Sequence, residues 1–365
     1  MVNIGIIGTG VGIRTYLNTF KKLENANVIA ISGSNKERTE EFAKENNIPI
    51  ACKDYKKLID LKNLDLVCIT APNKYHYEYA KYCIKANKNM ILEKPATMAI
   101  QEAKELKQII DKSDKINIIN HQLRFNPYLL KVKEIIEQGL LGRVYYINIH
   151  QQSTGFSNKD MKWIWSLEEN EGGGVRLAMG SHLIDLIRFW LNKDILTVKG
   201  NMDVVIPKRI DSNGNVKAVT ACSFFDANLN FKDNITVNAS ATCSAIGKSE
   251  FNFQIYGENG ELHFDLENKL IGYFIDKKGT RQEIKVDGVT TEERENKVSI
   301  FSGSFIYCAK PLLSSIENSN SILLENVSKI EDAIENQIIL EAIKESNMTG
   351  KTIEINSGYK SNVNC

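Results

Sequence analysis

The chain has 365 residues, 42% of them hydrophobic and 25% charged, with Lys and Arg (46) balancing Asp and Glu (45). That length holds two or three domains with sizeable cores, and a net charge of +1 without basic blocks argues against nucleic acid or an anionic membrane as partner. No apolar run approaches the ~18 residues of a membrane span, and the seven cysteines, none in C-x-x-C spacing, read as reduced thiols of a cytoplasmic protein.

Val2 to Ile7 is a short apolar strand, so no signal peptide is expected ahead of it. It runs into the turn Gly8-Thr9-Gly10-Val11-Gly12 and then a helix through Tyr16, Leu17 and Phe20. Asn27 to Ser32 is a second strand and leads into a charged helix from Lys36 to about Asn46. Leu64 to Thr70 is a buried strand that stops at Ala71-Pro72-Asn73, before a helix from Tyr75 to Ala86. The strand Asn89-Met90-Ile91-Leu92 carries Glu93-Lys94-Pro95 at its end. Ala99 to Lys112 is helical, with Ala103, Leu106 and Ile110 on one face, and Ile116 to Asn120 is a further strand. Strands separated by such helices call for parallel βαβ units, a doubly wound α/β domain over residues 1–120.

The pattern then changes. Pro127 to Gly139 is an amphipathic helix, Gly142 to Gln152 a strand, and the cluster Gly172-Gly173-Gly174 precedes a helix from about Val175 to Leu191. From Val198 to about Val286, period-two segments joined by Asn-Gly and Lys-Gly turns predict a largely antiparallel sheet with helices on one face. Val327 to Ser346 is a last helix, ended near Gly350. Residues 121–356 thus form an α+β second domain, and 357–365 read as a frayed tail.

The glycine turn has a mechanical use. Gly8 allows a tight turn, Gly10 lets backbone approach a pyrophosphate, and the following helix start supplies partial positive charge. The third glycine of G-x-G-x-x-G would fall at Ile13; here Gly12 sits one residue early. An acid after the second strand would grip the ribose 2′-hydroxyl of NAD. This chain has Ser32-Gly33-Ser34-Asn35 instead, then Lys36 and Arg38, a set that suits the 2′-phosphate of NADP. NAD is the alternative. Lys94, at a strand end in the crevice of such a sheet, carries an amine whose pKa falls on burial or beside another cation.

Taken together, "GIIGTGVGIRTY", "TAPNKYHYEYA", "LEKPATM", "LRFNP" and "GGGVRLAMGSHLID" give a chain that resembles the glucose–fructose oxidoreductase/inositol dehydrogenase/rhizopine-catabolism (Gfo/Idh/MocA) family over almost its whole length. The resemblance implies a Rossmann domain, a second domain with a large open sheet, a nicotinamide cofactor and a sugar, polyol or sugar-derivative substrate. It gives Lys94 a catalytic place beside the nicotinamide, with Glu93 next to it, and puts Ala71, Pro72, Asn73 and His76 at the cofactor crevice together with the turn Gly8 to Ile13. Most relatives carry an aspartate four residues before a histidine. Here the histidine is His182, the aspartate position holds Ala178, and Asp185 follows His182 by three residues on a shared face. A histidine side chain suits proton transfer to or from a hydroxyl, because free imidazole changes charge near neutrality.

Arg124 offers its planar fork to a carboxylate or phosphate of the substrate; a structural ion pair is the alternative. Trp163, Trp165 and Tyr128 could line a sugar pocket, but aromatic residues near a glycine cluster are more often core. His121, His150 and His263 lack partners at ligand spacing, so no catalytic metal is expected. The expectation is a homodimer or homotetramer built through the C-terminal sheet. Two other functions stay compatible with the sequence: glycoside cleavage through transient oxidation by a retained nicotinamide, and a non-catalytic NADP-binding sensor.

Overall fold

The computed structural model describes residues 1–265, 267–295, 299–318 and 324–363. The chain divides into two compact units, Met1–Asn126 with Ser299–Ile334, and Pro127–Val298 with Glu335–Cys365.

The first unit is a six-stranded parallel sheet: β1 (Val2–Ile7), β2 (Ala26–Ser32), β3 (Ile50–Cys52), β4 (Leu66–Ile69), β5 (Asn89–Leu92) and β6 (Asn117–Ile119), in the order 3-2-1-4-5-6. The intervening helices are α1 (Val11–Phe20), α2 (Lys36–Glu45), α3 (Tyr55–Ile59), α4 (His76–Lys85) and α5 (Ile100–Ile110). Helices on both faces explain the near-continuous apolar strands, and Ile4, Ile6, Ile31, Leu66, Cys68 and Ile91 share one core. Strand order reverses beside β1, so the crevice for a ligand opens at the carboxyl ends of β1 and β4. β3 and α3, three and five residues long, are too short to show a period in the sequence.

A single cut near residue 120 does not describe this unit. Residues 121–126 and 299–334 also belong to it. Helix Phe305–Asn318 puts Phe305, Cys308, Leu312 and Leu313 into the core of Tyr16 and Phe20. The Phe305 ring lies 4.1 Å from that of Tyr16 and 5.7 Å from that of Phe20. Ser328 extends the β6 edge through a bridge to Ile119.

The second unit contains α6 (Pro127–Glu137), β7 (Val144–Gln152), α7 (Ser181–Leu191) and strands β8 (Ile195–Asp203), β9 (Lys208–Ile210), β10 (Val216–Ala218), β11 (Phe224–Phe231), β12 (Ile235–Thr242), β13 (Glu250–Gly257), β14 (Gly260–Phe264), β15 (Leu270–Phe274), β16 (Gln282–Glu283) and β17 (Ile353–Glu354). Nine of them form a mixed, mostly antiparallel sheet ordered 16-15-14-13-7-12-11-8-17, in which β7 and β12 run parallel. β7, β12 and β13 alternate buried and half-buried residues, so one face carries the core. On that face the Trp190 ring meets Phe253 at 4.9 Å, and its Nε1–H donates to Leu129 O at 2.9 Å.

Two expectations are corrected here. The helix read as continuous from Val175 is a π-helical turn, Arg176–Gly180, followed by α7. The segment 357–365, read as a frayed tail, carries a helix over Ser357–Asn362 capped by Asn356, with Lys360 Nζ 2.6 Å from Glu335 Oε2, and just ahead of it β17 pairs with β8. A two-residue strand and a six-residue helix carry no periodicity, and their partners lie far away in sequence. Among the described residues no helix is long and apolar enough to cross a membrane, and the cysteines are unpaired.

Candidate active site

The glycine turn at the end of β1 is shaped by two different demands. Gly8 has φ +119°, and a Cβ there would sit 2.6 Å from Thr70 O, so the turn closes against β4 only with glycine. Gly10 is the N-cap of α1, and a Cβ there would meet nothing within 4 Å: its backbone faces open space. No side chain caps this helix end, which leaves the first-turn N–H groups for an anion. A pyrophosphate fits that cradle. Thr9 sits in the turn, and Val11, Gly12 and Ile13 open the helix. Ile13, read as a cofactor contact, instead buries its side chain in the core with Ile4 and Ile31, so only its backbone is available at the turn.

After β2 the loop Ser34-Asn35 and the helix start with Arg38 are exposed. Asn35 caps α2, its Oδ1 accepting from Arg38 N at 2.8 Å. Part of its capacity is therefore committed to the helix. The first acid of this stretch is Glu37, inside the first helical turn rather than at the strand end.

At the end of β5, Glu93 is fixed by two donors that the sequence did not announce. Its Oε1 accepts from Tyr16 Oη–H at 2.9 Å and from Asn120 Nδ2 at 2.8 Å. The only hint was a tyrosine on an apolar helix face, whose hydroxyl needs a partner when buried. Lys94 follows, half-buried, and the Lys94–Pro95 peptide is cis. Burial pulls the Lys94 ammonium below its usual 10.5, and Glu93 opposes that shift. An amine so tuned can hold or release a proton nearer neutrality.

His76 is fully buried at the start of α4. Its Nδ1 lies 2.7 Å from Pro95 O and its Nε2 2.9 Å from Ala71 O. A neutral imidazole carries one N–H, so it donates to one of these carbonyls and packs against the other, which ties the Ala71-Pro72-Asn73 loop to the Glu93-Lys94-Pro95 turn. It positions the crevice rather than offering it a polar group. Burial depresses its pKa below 6.5, partly opposed by the two carbonyls. The unfolded chain therefore binds more protons as the pH falls, so the stability that neutral His76 contributes is present above about pH 6.5 and is lost progressively below it. His76→Gln should make the loss of melting temperature between pH 7.5 and pH 5 smaller than in the parent; an equal loss would refute a buried neutral imidazole.

In the second unit, α7 presents His182 in its first turn, 5% exposed. Asp185, 1% exposed, accepts from Asn336 Nδ2 at 2.9 Å, and Arg188 donates to Asn336 Oδ1 at 2.8 Å. One oxygen of this carboxylate is thus engaged by the helix Ile330–Thr349. Ala178 lies in the π-helical turn and is exposed. Arg176, buried, anchors that turn through Glu341 at 2.9 Å and Leu340 O at 2.9 Å.

Arg124 is engaged by the chain itself. It is 5% exposed and forks onto Asp332, with Nη1 and Nη2 at 3.2 and 3.1 Å from the two carboxylate oxygens. The structural ion pair, the alternative read from the sequence, is formed with an acid 208 residues downstream on the returning segment. Tyr128 is core, packed edge-on to Phe264 at 5.3 Å. Trp163 donates from Nε1 to Ala218 O at 2.9 Å, while Trp165 is 39% exposed. His121 and His150 bind Ser328 and Ser240 hydroxyls at 2.9 and 2.8 Å, and His263 stands 3.6 Å from Glu261. Among the described residues no three His, Cys, Asp or Glu side chains gather as a metal site.

Comparison with known proteins matches this arrangement. Residues 2–121 fit the model of the oxidoreductase family with an NAD-binding Rossmann fold, and residues 129–263 that of the GFO/IDH/MocA C-terminal domain. An uncharacterized oxidoreductase of Synechocystis is 28% identical over 73% of this chain and 72% of its own length. The myo-inositol 2-dehydrogenase of Thermotoga maritima is 24% identical over 77% and 80%. A levoglucosan dehydrogenase solved with NADH and L-sorbose superposes with a TM-score of 0.83 at 20% identity, covering 97% of this chain and 99% of that one, a likeness of fold. Glycine cradle, strand-end lysine, large open sheet and both family models agree: the chain belongs to the Gfo/Idh/MocA family of NAD-binding oxidoreductases.

Proposed function

We propose that the chain moves hydride between a nicotinamide cofactor, NADP in preference to NAD, and a secondary alcohol or ketone of a sugar, polyol or sugar derivative. The observation that carries this reading is Lys94. It is a desolvated amine at the end of β5, beside a Glu93 pinned by Tyr16 and Asn120, in the same unit as an uncapped helix end behind an open Gly10 backbone. Bound nicotinamide supplies or accepts the hydride. The chain's own residues bind, orient and handle the proton: the Gly8 to Ile13 turn takes the pyrophosphate through backbone N–H groups, and the Ala71 to Asn73 loop lines the crevice. Lys94 Nζ takes the hydroxyl proton in oxidation, returns it in reduction, and stabilises the developing alkoxide.

His182 is proposed as a second proton-handling and substrate-binding group, with Asp185 holding α7 in place through Asn336. A myo-inositol 2-dehydrogenase and a levoglucosan dehydrogenase among the similar proteins support the substrate class. The half-buried row Tyr146, Asn148, His150, Asn238, Ser240 and Gln254 of the large sheet is uncharged apart from a histidine and supports association of copies through that sheet, as dimer or tetramer; a monomer by light scattering would exclude it. Dispersed, unpaired thiols support a reducing cytoplasmic setting.

Screening sugars, inositols and their phosphates with each cofactor, by reduced-nicotinamide absorbance, tests the reaction. No turnover with any of them, in a protein that binds the cofactor, would favour a sensor. For the cofactor, calorimetry of the apoprotein should show tighter binding of NADP. Arg38→Ala should remove about one to two decades of that affinity, the worth of one charge-assisted contact, and spare NAD. Equal binding of the two by the parent would make Lys36 and Arg38 an ordinary solvated helical turn.

A further inference from the structure

Beyond the end of β2, on the side away from β1, a cavity of about 560 Å³ opens between α2 and the β3–α3 connection. Its lining includes Lys36 and Thr39 from α2, and Cys52, Lys53 and Lys57 from β3 and α3. Two acids also line it. Asp54 is occupied in capping α3, its Oδ1 accepting from Lys56 N at 2.9 Å, and Glu40 stands 3.8 Å from Lys36. Three lysines against two acids leave a positive excess, brought by Lys53 and Lys57 from a segment that the β2 loop does not contain.

The cavity adjoins the cofactor crevice. Ser32 pairs with Cys52 in the parallel register, and Gly33 N donates to Cys52 O at 3.2 Å, so Gly33 and Lys53 are the first residues past the paired strand ends. A Cβ on Gly33 would fall 2.5 Å from Thr39 Oγ1 and 2.6 Å from Thr9 Cγ2. The cavity wall at Thr39 and the glycine turn at Thr9 are therefore separated by one glycine. In a doubly wound sheet the adenosine ribose sits at the end of β2, where an acid usually holds its 2′-hydroxyl. This chain has no acid there, and the next strand outward is β3. A group carried on the 2′-oxygen and directed away from β1 would face this cavity.

We propose that the cavity is the 2′-phosphate site and that Lys53, on the β3–α3 connection, and Lys57, on α3, are specificity-determining contacts for NADP in addition to the β2 loop. This rests on the NADP reading above and locates half of its charge on a different element. A phosphate dianion there draws on two ammonium groups, which favour an anion over a ribose hydroxyl.

Calorimetric titration of the full-length apoprotein with NADP, NAD and 2′,5′-ADP decides the matter. Lys53→Ala and Lys57→Ala should each weaken NADP and 2′,5′-ADP by about tenfold or more and leave NAD unchanged. Lys53→Arg and Lys57→Arg, which keep the charge, should retain binding and show that the alanine effect is not a folding defect. If the parent prefers NADP while both alanine variants bind 2′,5′-ADP as the parent does, the lysine assignment is overturned and the NADP reading stands. If the parent binds NAD as tightly as NADP, both are overturned.

Discussion

Lys94→Ala should lower turnover by at least about a hundredfold while cofactor affinity stays nearly intact. The amine is needed only when a proton moves and an alkoxide develops, so its removal acts on the transition state rather than on binding. The pH profile sharpens the test. Alcohol oxidation needs the neutral amine, and burial lowers the Lys94 pKa from 10.5, so the rate should rise with pH and level off below that value. The variant should lose this limb. Tyr16→Phe supports the same reading: it removes one donor from Glu93 and should move the limb without abolishing turnover. A folded Lys94→Ala protein with parental turnover would sink the assignment.

Arg124→Ala should destabilise the first unit without changing substrate KM. The Arg124 side chain is 7% and that of Asp332 28% exposed, so truncation leaves a partly buried carboxylate without its guanidinium, with Lys329 N still donating to it at 3.0 Å. Removing one partner of a buried pair costs about 3–5 kcal/mol, and partial hydration of Asp332 puts the expected value near ~3 kcal/mol, a fall of roughly 6–12 °C in melting temperature. Thermal unfolding and steady-state kinetics on the same preparation separate the two roles. A tenfold rise in KM with unchanged melting temperature would return Arg124 to the substrate.

These two residues also show where reading the chain succeeds and fails. The strand-end position of Lys94 was legible because its signals are local: an apolar four-residue strand, an acid, a lysine and a proline, in that order after a glycine turn. Arg124 was not. Whether a guanidinium meets a substrate or an ion-pair partner depends on what lies opposite it, and Asp332 arrives from a segment more than 200 residues away. The place of His76 at a helix start was legible, but its orientation, wedged between the carbonyls of Ala71 and Pro95, follows from packing between two loops.

By itself, the sequence determined what depends on near neighbours: the alternation of strand and helix that makes the first sheet parallel, the glycine turn, the strand-end lysine, and the period-two segments of the second sheet. Hydrophobic periodicity and turn chemistry are short-range, and they survive in one dimension. Only the tertiary structure decided the rest. Helix Phe305–Asn318 completes the first core, Tyr16 and Asn120 hold Glu93, and Asn336 takes Asp185. The β3–α3 connection and α3 bring two lysines to the end of β2. Each of these pairs residues far apart along the chain, where burial demands that a polar group find a partner but leaves no local mark of which one it finds.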